Sequence, residues 1–354
     1  MMMMTLQEII LEKIQSQGPI RFVDFMEICL YHPEFGYYFS SRNKIGKDGD
    51  FYTSPYLTPV FGAMIGRKME LLWKTLGSPN FTIVEYGAGS GRLCADILAY
   101  LKNNEPFYSR LKYCIIEKSP SMRLLAKKHL PENVIWYDSI AEIQELEGCI
   151  ISNELLDNFA VQQVKMEDEL LELFIAGDNG FTEVWKPATA ELQKYFQDLD
   201  IQLPKGFRTE CNLQAIDWLK DIVTHLKRGF VLSIDYGGLS SELYHSSRRN
   251  GTLLSYYNHQ ISDCMEERPG EQDITAHVNF SALMYYGERM NLKTISYTDQ
   301  GQFLLELGFK QALEQSYLHE KNVLQAARQV ALIGHALLFD MGKKYKVLIQ
   351  EKNN

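Results

Sequence analysis

A short apolar run, Thr82-Ile83-Val84, ends at Glu85-Tyr86 and passes into Gly87-Ala88-Gly89-Ser90-Gly91, after which Arg92 and Leu93 open a helical pattern. No other stretch constrains the fold as much. Glycine is demanded where the backbone must turn sharply, adopt positive φ and admit a ligand that any Cβ would obstruct. A parallel strand delivers its carboxyl end to a nucleotide-like ligand in this way. The spacing is G-x-G-x-G, not the dinucleotide G-x-G-x-x-G, which disfavours a nicotinamide-dependent oxidoreductase. With Glu85 at the strand end it points to S-adenosylmethionine (SAM), whose cationic methionyl end brings no pyrophosphate for a helix N-terminus to bind. A tight turn of purely structural purpose would use the same glycines, so the rest of the chain decides.

The chain has 354 residues, 45% of them hydrophobic, enough for one large α/β domain with insertions or one domain with a small partner. A net charge of -9 offers a phosphate backbone little attraction and argues against nucleic-acid binding. Cys29, Cys94, Cys114, Cys149, Cys211 and Cys264 never fall as C-x-x-C. They read as reduced thiols, and a cytoplasmic location is expected. The N-terminus has neither a basic, apolar leader nor an Arg/Ser-rich amphipathic one, so an unprocessed chain is expected. No uninterrupted apolar stretch reaches the roughly 20 residues of a membrane helix, which predicts a soluble protein without a span.

Residues 5–17 and 22–30 have helical periodicity and are separated by Gly18-Pro19. Residues 35–59, rich in Gly, Tyr, Ser and Asp, predict a long ordered loop, and such loops in compact domains are usually functional. Residues 1–60 therefore read as a helical extension with a cofactor-covering loop, and 61–354 as the SAM-binding domain. After a helix at 61–76 the pattern alternates: strand 81–86, helix 91–102, strand 113–117, helix 120–129, strand 134–137, short helix 139–145 and strand 148–152. This predicts a Rossmann-like parallel sheet with right-handed crossovers and helices on both faces. Helix 212–227 and strand 229–235 continue it. A first insertion, about 160–210, reads as a β-ribbon (161–164, 170–176, 181–186) and a helix (190–199). A second, 238–280, reads as polar and irregular. Helical stretches 300–307 and 320–328 and a strand at 346–349 close the chain.

In a doubly wound sheet the ligand lies beyond the carboxyl ends of the strands. Glu117 ends the second strand, where a carboxylate can accept both ribose hydroxyls; capping the next helix is its plainer use. Asp138 ends the third and could accept the adenine amino group or cap a helix. Asn153, Glu154 and Asp157 follow the fourth, where a methyl acceptor would lie. An amide and a carboxylate suit a nitrogen nucleophile, because they accept its N–H bonds and orient its lone pair. For an arginine acceptor, paired carboxylates would match the planar guanidinium. Glu154 is the first choice of catalytic base and Asp157 and His277 are the others; helix capping is the bland reading of the acids. His277 sits in Asp273-Ile274-Thr275-Ala276-His277-Val278 with an ordinary pKa of about 6.5, although a lone histidine beside a strand is more often structural. The loop at 46–55 brings Asp50, Thr53, Ser54 and Pro55 beside glycines, as a cofactor lid or a mere connector. Metal-ligand spacing, a G-x-S-x-G elbow and a P-loop are absent from the sequence.

Several ordered motifs carry a resemblance over nearly the whole chain: Gly18-Pro19-Ile20, Tyr31-His32-Pro33, Gly36-Tyr37-Tyr38, Gly49-Asp50-Phe51 and Thr53-Ser54-Pro55. They continue through Glu85 to Gly91, Ser152-Asn153-Glu154-Leu155-Leu156-Asp157, Asp235-Tyr236-Gly237, Asp273 to Val278 and Met341 to Leu348. Together they resemble the MidA-type class I SAM-dependent methyltransferases, a family that includes a mitochondrial complex I assembly factor. The resemblance implies a Rossmann-like, SAM-binding methyltransferase acting on a protein substrate. For the mitochondrial relative it implies symmetric dimethylation of an arginine, and with it a part in respiratory-complex assembly. A homodimer is compatible with it. Two departures matter. The family's glycine segment more often reads G-P-G-R-G, where Ala88 and Ser90 stand here, and a glutamate usually follows Ser-Pro, where this chain has Tyr56. The first keeps the three glycines; the second bears on acceptor specificity. A SAM-binding assembly protein without turnover is the rival reading, against which the intact Asn153-Glu154 pair argues.

Overall fold

A computed structural model describes residues 4–40, 44, 53–257, 260–262 and 264–353. Most of the expected lid, Asp50 included, lies outside these residues. Strands β1 (Phe81–Tyr86), β2 (Leu111–Ile116), β3 (Ile135–Tyr137), β4 (Leu146–Asn153), β5 (Leu226–Gly238), β6 (Lys293–Asp299) and β7 (Tyr345–Lys352) run in the order β6-β7-β5-β4-β1-β2-β3. Near-continuous apolar runs are what a sheet covered on both faces requires. Ile83, Val84, Cys114, Ile115, Ile150, Ile151 and Leu232 are accordingly buried.

Strands β1 to β5 pair in parallel, as the alternation predicts. The expectation of a wholly parallel sheet is corrected at β7, which runs antiparallel to both β5 and β6. Hydrophobic periodicity reports that a strand is buried, not which way it runs. β6 is an addition to the expected elements: Lys-Thr-Ile-Ser-Tyr-Thr-Asp is an edge strand that leaves Lys293 and Ile295 exposed.

Three helices bear on the site: α1 (Ser54–Leu57), α2 (Pro59–Leu76) and α3 (Arg92–Leu101). Thr58 caps α2 by accepting the Val60 N–H, Pro59 supplies a pre-set first turn, and Gly77 ends it at φ 65°. Phe61, Ile65 and Met69 of α2 and Cys94 and Ile97 of α3 share one core with Ile83, Tyr113, Ile115 and Cys149. Each such burial contributes about 1.5–3 kcal/mol.

Contacts divide the chain into two compact units. The sheet belongs to the unit of Tyr52–Leu155, Lys220–Tyr236 and Gly287–Asn354; the other comprises Met1–Phe51, Leu156–Leu219 and Gly237–Tyr286. The N-terminal helices and both expected insertions thus gather into one unit. It holds an antiparallel sheet in the order Ile20–Arg21, Leu170–Ala176, Gln162–Met166, Arg208–Cys211, with Thr182–Pro187 on the second strand. Helices Leu6–Gln17 and Phe22–Tyr31 pack Ile10, Phe22, Phe25 and Met26 with Leu173, Ile175 and Ile274. The segment expected to be irregular contains a second antiparallel sheet, Gln260–Ser262, Leu254–Tyr257 and Asp273–Thr275. Ser255, Asp273 and Thr275 are buried there beside Ile274, and such polar interior side chains conceal the strands from hydropathy.

Candidate active site

The carboxyl ends of the central strands are level: Tyr86 pairs with Ser152, Asn153 with Ile234, and Tyr236 with Tyr345. From β1 the chain steps outward through β2 and β3, while β4 and β5 lie on the other side of β1. The order therefore reverses between β1 and β4, where open α/β sheets bind their ligands. Gly87, Gly89 and Gly91 have φ of 66°, 54° and 78°. A Cβ on Gly87 would stand 2.7 Å from Leu155 Cδ1, and one on Gly91 2.9 Å from Ala126 Cβ. Glu117, just past β2, accepts the Gly89 N–H at 2.9 Å and the Ser119 N–H at 2.8 Å. It ties the glycine loop to the strand end where a ribose is expected. The helix cap that was its alternative role falls to Ser119, which accepts the Met122 N–H. A left-handed loop without side chains at its glycines, with a carboxylate beside it, fits a SAM-type ligand.

Glu85 sits elsewhere than its place in the motif implies. It is 3% exposed and accepts the Tyr113 hydroxyl at 2.7 Å. Burial pushes its pKa up to about 7, Tyr113 opposes the rise and the charge of Glu117 adds to it. It is a buried support beneath the loop. Because the unfolded chain ionises near pH 4.3, the native state loses stability as pH climbs from there through 7, by about 3 kcal/mol for this one group. Glu85→Gln is expected to flatten the stability profile by that amount between pH 4.5 and 7.5, measured by urea unfolding. An unchanged slope would show that Glu85 ionises normally. Asp138, at the end of β3, has an 84% exposed side chain paired with Arg123 at 2.8 Å. The cap after β3 is Ser139, with Glu142 reciprocating.

After Asn153 the chain enters Glu154 at φ 52°, uncommon for a residue with a side chain. Its N–H donates to the Ile234 carbonyl at 2.9 Å. Oε1 accepts the Ser54 N–H at 2.9 Å and an Asn153 Nδ2–H at 3.3 Å, and Oε2 accepts the Tyr345 hydroxyl at 3.0 Å. Burial pushes this carboxyl up to about 7; the three donors oppose the rise and Asp235 adds to it. A carboxyl so placed takes and returns a proton near neutrality. Asp235, fully buried, accepts the Leu155 and Tyr236 N–H groups at 3.1 and 2.9 Å and so fixes the turn.

Thr53 precedes α1, and its carbonyl accepts the Tyr56 N–H; Ser54 and Pro55 are buried in the first turn. Two partners were not legible beforehand. Tyr345 and Gln300 come from the far end of the chain, and Ser54 Oγ donates to Gln300 Oε1 at 3.3 Å. Tyr56 donates its hydroxyl to Ser90 Oγ at 2.8 Å, with the Arg92 guanidinium 5.2 Å over its ring. Ser90 and Tyr56, one from each departure from the expected motifs, are therefore in contact.

Asp157 and His277 belong to the other compact unit. Asp157 is buried and its carbonyl accepts the Ala276 N–H at 2.9 Å. His277 Nδ1 lies 3.1 Å from Arg248 Nη1, and its backbone N–H donates to Thr252 Oγ1 at 3.0 Å. A ring nitrogen facing a guanidinium is an acceptor, with its lone pair engaged. The run expected as one cluster thus resolves into Asn153 and Glu154 in the sheet unit and Asp157 in the other. Among the described residues there is no group of three or more His, Cys, Asp or Glu placed to hold a metal, and no helix long and apolar enough to cross a membrane.

A family model described as an S-adenosyl-L-methionine-dependent methyltransferase matches residues 64–298. The Drosophila melanogaster protein named protein arginine methyltransferase NDUFAF7 homolog, mitochondrial, is 26% identical over 372 residues, 95% of this chain and 82% of that protein. The Homo sapiens protein arginine methyltransferase NDUFAF7, mitochondrial, is 26% identical over 374 residues, 94% and 80% respectively. A crystal structure of a Burkholderia thailandensis protein bound to S-adenosyl-homocysteine superposes with a TM-score of 0.88 at 29% identity, covering 98% of this chain and 92% of that one. The expected cytoplasmic location is corrected by the curated relatives, which are named mitochondrial. All six cysteines are free.

Proposed function

Because the chain belongs to the S-adenosyl-L-methionine-dependent methyltransferase family, we propose that it methylates an arginine side chain of a protein. The observation that carries this reading is the Glu154 carboxyl, held by Ser54, Asn153 and Tyr345 at the strand end beside the glycine loop. The names of the relatives support arginine as the acceptor. Gly87, Gly89, Gly91 and Glu117 are the residues we assign to the cofactor, with Asp138 toward its adenine end and Glu85 supporting the loop from below.

Once bound, SAM supplies a methyl group on an already activated sulfonium. The protein's share is positioning, exclusion of water and removal of a proton. A guanidinium has a pKa above 12, so its nitrogen must shed a proton as it is methylated. Glu154 Oε1 or Oε2 accepts that proton, and Asn153 orients the carboxylate. Asp157 and His277 lie in the other compact unit, where His277 faces Arg248, and no step is assigned to them. A part in respiratory-complex assembly rests on the sequence resemblance alone.

The test is incubation of the purified chain with labelled SAM and a mixture of arginine-containing peptides, followed by mass spectrometry. Methylated arginine supports the proposal. Label on lysine or on a carboxylate, with none on arginine, overturns the acceptor while leaving the enzyme class intact.

A further inference from the structure

Two residues of α1 are tied to the site. At its start the Ser54 N–H donates to Glu154 Oε1 at 2.9 Å, and Ser54 Oγ to the fully buried Gln300 at 3.3 Å. Two residues on, the Tyr56 hydroxyl donates to Ser90 Oγ at 2.8 Å, inside the glycine loop. Arg92 stands 5.2 Å over the Tyr56 ring and steadies the ring that carries the hydroxyl. A helix of one turn does not persist by itself, so these contacts set its place.

The loop needs such a tie. Gly87, Gly89 and Gly91 lose more backbone freedom on ordering than any other residues would. Ala88 and Ser90 supply the loop's side chains, and Ser90 alone offers a polar one. We propose that Tyr56 is a positioning residue for the cofactor: through Ser90 it holds the glycine loop in its ligand-binding shape, and α1 joins that loop to the Glu154 carboxylate. A loop ordered in advance has less freedom to surrender when the ligand arrives, and affinity rises accordingly. This inference rests on the cofactor placement proposed above.

Tyr56→Phe removes the hydroxyl and keeps the ring beneath Arg92; Ser90→Ala removes its partner. SAM titrations by calorimetry on wild type, both single variants and the double variant form a closed cycle. Each single change is expected to weaken SAM about three- to tenfold, as the loss of one hydrogen bond does. The double variant is expected to bind no more weakly than the singles, and Ser90→Thr, which keeps a hydroxyl, to restore affinity. Losses that multiply in the double variant, or unaltered affinity in both singles, overturn the proposal. If Tyr56→Phe fails to fold, Ser90→Ala against Ser90→Thr still decides, because a merely structural serine would not be rescued in SAM affinity by its hydroxyl. A wild-type chain that binds no SAM would instead sink the cofactor assignment itself.

Discussion

Replacing Glu154 by Gln is expected to lower kcat by about 10²- to 10⁴-fold, the span of general-base catalysis, with the SAM dissociation constant little altered. The separation follows from the contacts. Glutamine keeps the volume and an Oε1 that accepts the Ser54 and Asn153 donors, while the Tyr345 hydroxyl can turn to accept from the new amide. The fold and the glycine loop therefore persist, and what disappears is the capacity to hold a proton. The pH profile supplies a second readout. A base must be deprotonated to act, so wild-type kcat should rise with pH through about 7 and level off above it, and the variant should lack that step. Radiolabel transfer to the peptide mixture from pH 5.5 to 8.5 measures both. Equal loss of SAM binding and turnover would move Glu154 into the cofactor site.

Gly89→Val should abolish SAM binding, with at least about a hundredfold loss of affinity while most of the fold survives. Gly89 stands at φ 54°. A β-branched residue there strains the backbone, and any relaxation pulls its N–H away from Glu117, 2.9 Å distant. The same change at Gly91 would drive its side chain into Ala126 and Leu130 and damage packing instead. Calorimetry with SAM, alongside thermal melting, distinguishes these effects. Binding retained in Gly89→Val, or no heat and no thermal shift in wild type at millimolar SAM, would overturn the placement of the cofactor.

The parts of the site that follow a strand in sequence were legible; the parts that close it were not. Gly87, Gly89 and Gly91 announce themselves because positive φ demands glycine, and Asn153-Glu154 because a polar pair interrupts a buried run. Glu85 misled for a physical reason: an acid at a strand end looks ligand-facing, yet side chains alternate, and its parity sends it to Tyr113. Asp138 was offered as a cap, but the hydroxyl of the next residue takes that place. The partnership of Glu154 with Tyr345 spans 191 residues, and no local pattern encodes it. The same holds for β6, whose half-exposed edge dilutes its alternation, and for β7, whose direction depends on topology.

Because β7 is the last strand yet sits between β5 and β6, the order of synthesis imposes an order on assembly. A nascent chain still lacking residues 345–352 already carries the glycine loop, Glu117 and the Ser54 N–H. It does not yet carry the hydroxyl that holds Glu154 Oε2, nor the strand that covers the flank of β5. The carboxylate is thus completed by the final step of sheet closure. Until residues 345–352 have emerged, Glu154 lacks its Tyr345 donor and β6 has no strand to pair with, so the edge of the sheet and the carboxylate's last hydrogen bond arrive together.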